Sequence, residues 1–422
     1  LDGVKTTRPI KVHSSFGHSN LTNTRGLQLA GITRDTPDPK DGVIVRDASG
    51  EPTGLLQDAA QDLIDKLVPG PSVEKNYQAT QLALKAMREQ GITSFLDAYT
   101  DIETMTAYRK VSKEGGLTAR AHFAVLIDSP ADYDADKAIA EVLKEKAEFE
   151  QKPNGTAPIM TVDTAKLFLD GVYSAPAFSA VMVEPYFENG KPGHNYGPKP
   201  YFSQAQLNET LIKLAAAGLN PHMHADGDGS VRMALNAVEA MRKVHPADDI
   251  RPAIAHDEIV DPADYRRYAE VGALPVLSFQ WERPSIDIMQ SMPALGPVRS
   301  ALMEPAGLLE IYGARIVYGS DWPVDALNEW LALQVAVTRK AIGEDAATYP
   351  DRLGIDPGLT VAQAVRAITL NAAYSLRQDK DTGSLETGKF ADLIVLDRNL
   401  FQIKPEEIGE TRVLLTMVGG KI

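Results

Sequence analysis

Residues 219–256 read LNPHMHADGDGSVRMALNAVEAMRKVHPADDIRPAIAH and contain one complete structural unit. Leu219 to Ala225 is a short apolar run with strand character, 229–244 reads as a helix, and RPAIAH (251–256) reads as a second short strand. Strand, helix and strand in fewer than about forty residues form a βαβ unit, whose strands lie parallel. Each strand carries a histidine near its end. His224 and His256 stand 32 residues apart, one βα unit.

The same alternation extends in both directions. GITSFLDA (91–98), ARAHFAVLI (119–127), TAKLFLDG (164–171), ALPVLSFQ (273–280) and ARIVYGSD (314–321) are further apolar runs of strand length. Helical spacing separates them at 73–90, 101–115, 134–150, 204–217, 262–271 and near 300–312, and continues at 328–342 and 360–376. Seven strands, near 93, 122, 166, 222, 254, 276 and 317, predict an α/β fold of the (β/α)8 TIM-barrel type, one strand short of closure. Residues 1–70 are rich in Gly, Pro, Asp and Thr and are expected to form an irregular insertion packed on the barrel. The barrel itself is expected over 71–378. LETGKFADLIVLDRN (385–399) and RVLLTMVGGKI (412–422) are β-rich, so 379–422 is expected to be the C-terminal part of a small β-sandwich.

Composition narrows the function. The chain has 422 residues, 44% of them hydrophobic and 24% charged, as in an ordinary globular protein. Lys plus Arg is 43 and Asp plus Glu is 57, a formal charge of −14, which argues against nucleic acid or an anionic membrane as partner. There is no cysteine, so disulfides, cysteine-ligated zinc, iron–sulfur clusters and a thiol nucleophile are excluded. No apolar run is long enough to span a bilayer. LDGVKTTRPIKVH does not read as a signal peptide and does not begin with Met, which leaves cytoplasm and periplasm both open.

In parallel barrels the functional side chains lie at the C-terminal ends of strands. Lys166, His224, His256 and Asp321 fall at such positions, and the 65 residues from His256 to Asp321 make about two further units. A lone histidine at a strand end is usually a hydrogen-bonded structural residue. Two of them one unit apart, joined by an aspartate, suit Zn2+ or a similar divalent ion, because neutral imidazoles and carboxylates are its common donors. His222 shares a strand face with His224, since strand side chains alternate with period 2.

Beyond these positions the chain resembles the amidohydrolase superfamily, family 3, the group that includes N-substituted formamide deformylase-like hydrolases. The matching stretches run in order: RPIKVHSSFGHSNLTNTRGLQLAGIT, GEPTGLLQDAA, GITSFLDA, KLFLDG, HADGD, RPAIAH, GSDWPV and TVAQAVRAITLNAAYSLRQDKDTGSLETGKFADLIVLDRN. The resemblance implies metal-assisted hydrolysis of a C–N bond of amide or N-formyl type, with one or two Zn2+ ions as cofactor. It implies a carboxylated Lys166 bridging two ions, with His224 and His256 as further ligands. It makes Asp321 both a ligand and the group that takes the proton of the attacking water. His18, Asp228 and Gln280 match positions close to the substrate. A small-molecule substrate and a homo-oligomer are expected. The family pattern also has a first strand with a His-x-His pair upstream of RPIKVH, which this sequence lacks; that segment is expected to be cleaved, disordered or carried by another chain. The missing pair keeps open a ligand-binding barrel without catalysis. The same site would equally serve ester or lactone hydrolysis or deamination.

Overall fold

The computed structural model describes residues 1–14, 17–129 and 132–422, so Ser15 and Phe16 of the SSFGHSN stretch lie outside the described residues. Residues 11–58, read from the sequence as irregular, form a four-stranded antiparallel sheet. Its strands are β1 (Lys11–His13), β2 (Ser19–Thr22), β3 (Gly42–Arg46) and β4 (Pro52–Asp58), in the spatial order β1-β2-β4-β3. Strands of three to seven residues broken by Asp, Gly and Pro turns are too short for a clear alternation, yet Ile44 and Leu56 pack with Leu27 and Ile64 into a small core.

The alternating elements downstream build the expected parallel sheet. Its strands are β5 (Ser94–Thr100), β6 (Arg120–Leu126), β7 (Met160–Phe168), β8 (Asn220–Ala225), β9 (Ala253–His256), β10 (Leu274–Leu277) and β11 (Val317–Tyr318), paired in sequence order. Helices return between strands. Val73–Gln90 starts on a Ser72 cap and stops at Gly91, whose φ of 85° is one that glycine adopts without penalty. Gln204–Ala216 opens with a Ser203–Gln206 capping box. On the outer faces of the strands Phe123, Leu167 and Met223 are fully buried in one continuous core. The sheet curls as a (β/α) barrel of TIM type. Among the described residues β5 and β11 pair on one side only, so the barrel is open along one seam.

The strands β12 (Leu393–Leu396) and β13 (Val413–Met417) form an antiparallel pair. It lies against the end of the Val73–Gln90 helix. There the Thr416 hydroxyl donates to the Arg88 carbonyl at 2.7 Å, and a Cβ on Gly91 would come within 3.1 Å of Ile394.

Candidate active site

Register decides which side chains meet. In the β7–β8 ladder Lys166 is paired with His222, and Phe168 with His224. These four therefore project from one face, toward the barrel interior. Ala225 is opposite His256, so simple alternation would turn His256 to the other face. The strand ends instead with His256 at φ 84° and Asp257 at φ 51°, conformations that non-glycine residues seldom adopt. This break swings the ring back, and the His224 and His256 centroids lie 4.4 Å apart. Asp321, at φ 52°, shows the same kind of turn after Gly319-Ser320. Left-handed backbone at three such positions costs energy, and such strain concentrates at functional sites.

Lys166, Phe168, His222, His224, His256 and Asp321 all line one cavity of about 1410 Å³ that runs through the open barrel. His18 is there too, 5.2 Å from His224 between centroids, and its Nδ1 is bonded to Asp58 at 2.8 Å. Gln280 lines the same space. It donates to the Ser320 carbonyl at 2.7 Å, and its Oε1 is buried with no partner among the described residues. Trp281 stacks on His256 at 5.7 Å and donates from its indole to Asp325. Asp228 lies outside this lining. Its carboxylate accepts from the Val183 N–H at 2.7 Å and ties down the 172–202 loop.

Electrostatics follow from burial. Lys166 is pulled down to about 8 by burial, with Asp321 acting in the opposite direction. Burial raises the Asp321 carboxyl, offset by Lys166 and His18. Burial, aided by the neighbouring His256, His18 and Lys166, holds His224 far below its usual range; His256 is likewise held down by burial and Lys166. Both rings are neutral at pH 7. His224 Nε2 faces the Gly171 carbonyl at 2.9 Å, so that nitrogen carries the proton and Nδ1 keeps its lone pair.

Several contributors carry no role in the sequence reading. His222 lies deep in the cavity, lowered to about 3 by burial and Lys166; the period-2 pairing with His224 was the signal for it. Asp170, in KLFLDG, is fully buried. It accepts from the N–H groups of Val181, Asp226 and Gly227 and from the Ser230 hydroxyl, stitching strand end, loop and helix together. Burial and Asp226 nonetheless push it up to about 8. The glycines of HADGDG allow that stitching, because a Cβ on Gly227 would lie 2.2 Å from the Val181 carbonyl oxygen.

A family profile described as the amidohydrolase family matches residues 1–422. The chain belongs to the amidohydrolase family. Among its relatives, YtcJ of Bacillus subtilis (strain 168) is 29% identical over 433 residues, spanning 100% of this chain and 75% of that protein. The N-substituted formamide deformylase of Arthrobacter pascens is 26% identical over 436 residues, spanning 100% and 74%. A solved structure described as an uncharacterized metal-dependent hydrolase from Pyrococcus horikoshii OT3 superposes with a TM-score of 0.68 at 20% identity. It covers 94% of this chain and 73% of that one, and the likeness confirms the barrel fold.

Membership implies a divalent metal, and the donors present fit one in part. Two neutral imidazoles stand side by side, one with its lone pair fixed by the Gly171 carbonyl, and that is the ligating form. Among the described residues, however, no three His, Asp or Glu side chains come together as a ligand group.

Proposed function

We propose that this chain is a metal-dependent hydrolase that cleaves a C–N bond of amide or N-formyl type. The observation that supports the reading is that Lys166, His224, His256 and Asp321 line one cavity, with the His224 and His256 ring centroids 4.4 Å apart. One or two Zn2+ ions held by His224, His256, Asp321 and a carboxylated Lys166 would polarise a carbonyl and lower the pKa of water. The carbamate forms when the neutral lysine amine adds to CO2 and releases one proton, which replaces a cation with an oxygen donor. Asp321 takes a proton from the attacking water at its carboxylate and passes it to the leaving nitrogen. His18, fixed by Asp58, and Gln280, fixed by the Ser320 carbonyl, present ring and amide to the substrate. Asp228 acts through the loop it holds. Phe168, Tyr173 and Trp281 line the wall and keep water out of the reacting centre.

Protein purified from metal-supplemented medium is expected to hold one to two equivalents of divalent metal by elemental analysis. It is expected to turn over members of an amide and N-formyl panel. Asp321→Asn is expected to lower kcat by about 10²–10⁴ with an unchanged circular dichroism spectrum. Metal-free protein, or full activity in the variant, overturns the reading. A second reading, a barrel that binds ligand without hydrolysis, is favoured by the lack of a three-residue ligand group among the described residues. Metal-loaded protein inert toward amides, esters, lactones and amino-heterocycles would establish it. Turnover of esters, lactones or amino-heterocycles alone would keep the metal and change the bond.

A further inference from the structure

One of the largest fully buried side chains is a charged one. Arg339 is 0% exposed and lines no part of the cavity. It ends the Glu329–Thr338 helix at φ 53°, a left-handed conformation that costs an arginine energy. Its guanidinium is anchored to several segments. Nη1 donates to the Glu304 carbonyl at 2.6 Å, Nη2 to the Met303 carbonyl at 3.1 Å and Nε to the Leu353 carbonyl at 3.2 Å. The Asp356 carboxylate lies 3.6 Å from Nη1 and also accepts from the N–H groups of Gly307 and Leu308, in the first turn of the Ala306–Ile311 helix.

The remaining bond leads toward the cavity. Nη1 also donates to Glu282 Oε2 at 3.3 Å, and Glu282 is itself 0% exposed. Glu282 closes the short Phe279–Trp281 turn, its N–H donating to the Phe279 carbonyl at 3.2 Å. That turn carries Gln280 and Trp281, which both line the cavity, and the Trp281 ring lies within 19° of parallel to His256. The other Glu282 oxygen is buried with no partner among the described residues, so the hydrogen bonding of this carboxylate rests on Arg339. A buried ion pair is often no more stabilising than apolar packing of the same volume. What the planar guanidinium adds is direction, because it holds several acceptors at fixed places where the point charge of a lysine would not.

We infer that Arg339 is a positioning residue for the cavity: through Glu282 it fixes the turn that presents Gln280 and Trp281, and so sets how tightly ligand is held from a place outside the cavity. The consequence for substrate rests on the hydrolase reading; the placement of Trp281 does not.

The test is 19F NMR of the full chain labelled with 5-fluorotryptophan. The three tryptophans give three resonances, and Trp281→Phe assigns the one in question. Arg339→Lys, which keeps the charge and loses the fork, is expected to displace or split the Trp281 resonance. Glu282→Ala, which cuts the tether and leaves Arg339 its other four partners, is expected to do the same. The double variant should displace it no further than the larger single, because both changes act on one link. Arg120→Lys, at a buried arginine of the barrel base, should leave it in place. An unmoved resonance in either folded single variant, an additive displacement in the double, or an equal displacement in Arg120→Lys overturns the inference. If Arg339→Lys does not fold, Glu282→Ala decides alone by the same criterion. With a substrate that the parent turns over, Glu282→Ala should raise KM about threefold to tenfold, the worth of one aromatic contact, with a smaller change in kcat. An unchanged KM beside a displaced resonance overturns the consequence for substrate. An inert parent protein would sink the hydrolase reading and leave the resonance result standing.

Discussion

The two ends of the barrel solve opposite problems with the same residue types. At the base the buried arginines that hold the C-terminal segment are paired with carboxylates. Arg120 meets Asp392 through two nitrogens at 2.7 and 3.0 Å, with both side chains almost fully buried. Arg251 is paired with Asp379 and stacks on Tyr374 at 4.0 Å. The Gln378 side chain takes a hydrogen bond from Ser94 and meets His122. At the mouth, Gln61 and Gln280 each leave a buried oxygen without a partner among the described residues, and His256 and Asp321 hold strained backbone. The base ties the C-terminal segment to the strands and gives stability. The mouth keeps unspent interactions for a ligand.

Breaking the base is expected to have the largest effect on stability. Arg120→Ala strands Asp392 without its partner and should cost about 3–5 kcal/mol in urea unfolding. Metal content and kcat of the folded fraction should stay at the parental level; a fall in metal content with stability preserved would erase the contrast. Glu329, on the cavity wall with its N–H donating to Gln90 at 3.3 Å, tests the opposite expectation. Burial raises its carboxyl to about 7, with the Tyr318 hydroxyl only partly offsetting this. The folded chain then binds a proton that the unfolded chain has released, so stability is full below about pH 4.5 and declines as pH rises to about 7. The decline from this one group is roughly 3 kcal/mol. Glu329→Gln should remove it, and a parental pH slope in the variant would show that the group titrates normally. The smallest effect concerns the backbone seat of the 172–202 loop. Gly227→Ala places a methyl against the Val181 carbonyl and should cost about 1–3 kcal/mol. Faster proteolysis within that loop is the confirming measurement, and unchanged proteolysis would mean that another contact holds it.

The fold was largely legible because each strand of the barrel is a short apolar run bounded by helical spacing, and burial on both faces leaves that signature. The N-terminal sheet was not legible. In its short strands exposed Leu21 and Val43 stand beside buried neighbours whereas exposed Val12 does not, and turn residues interrupt them. Lys166, His224 and Asp321 could be placed at the mouth by position alone. His256 reaches it only through a backbone conformation that no periodicity reveals, since alternation would have turned it outward. Asp58, Gln61 and Asp170 depend on partners tens of residues away, such as the His18–Asp58 pair, and nothing local announces those contacts.

The left-handed turn at His256 also limits what evolution or a designer can place there. Glycine, asparagine and aspartate tolerate that dihedral, whereas valine or isoleucine would fight both the φ angle and their own branching. Two of the three permitted replacements still offer an oxygen where the imidazole now offers nitrogen. The repertoire at this strand end is thus biased toward exchanging one donor atom for another, and drift there tends to retune the centre before it abolishes it.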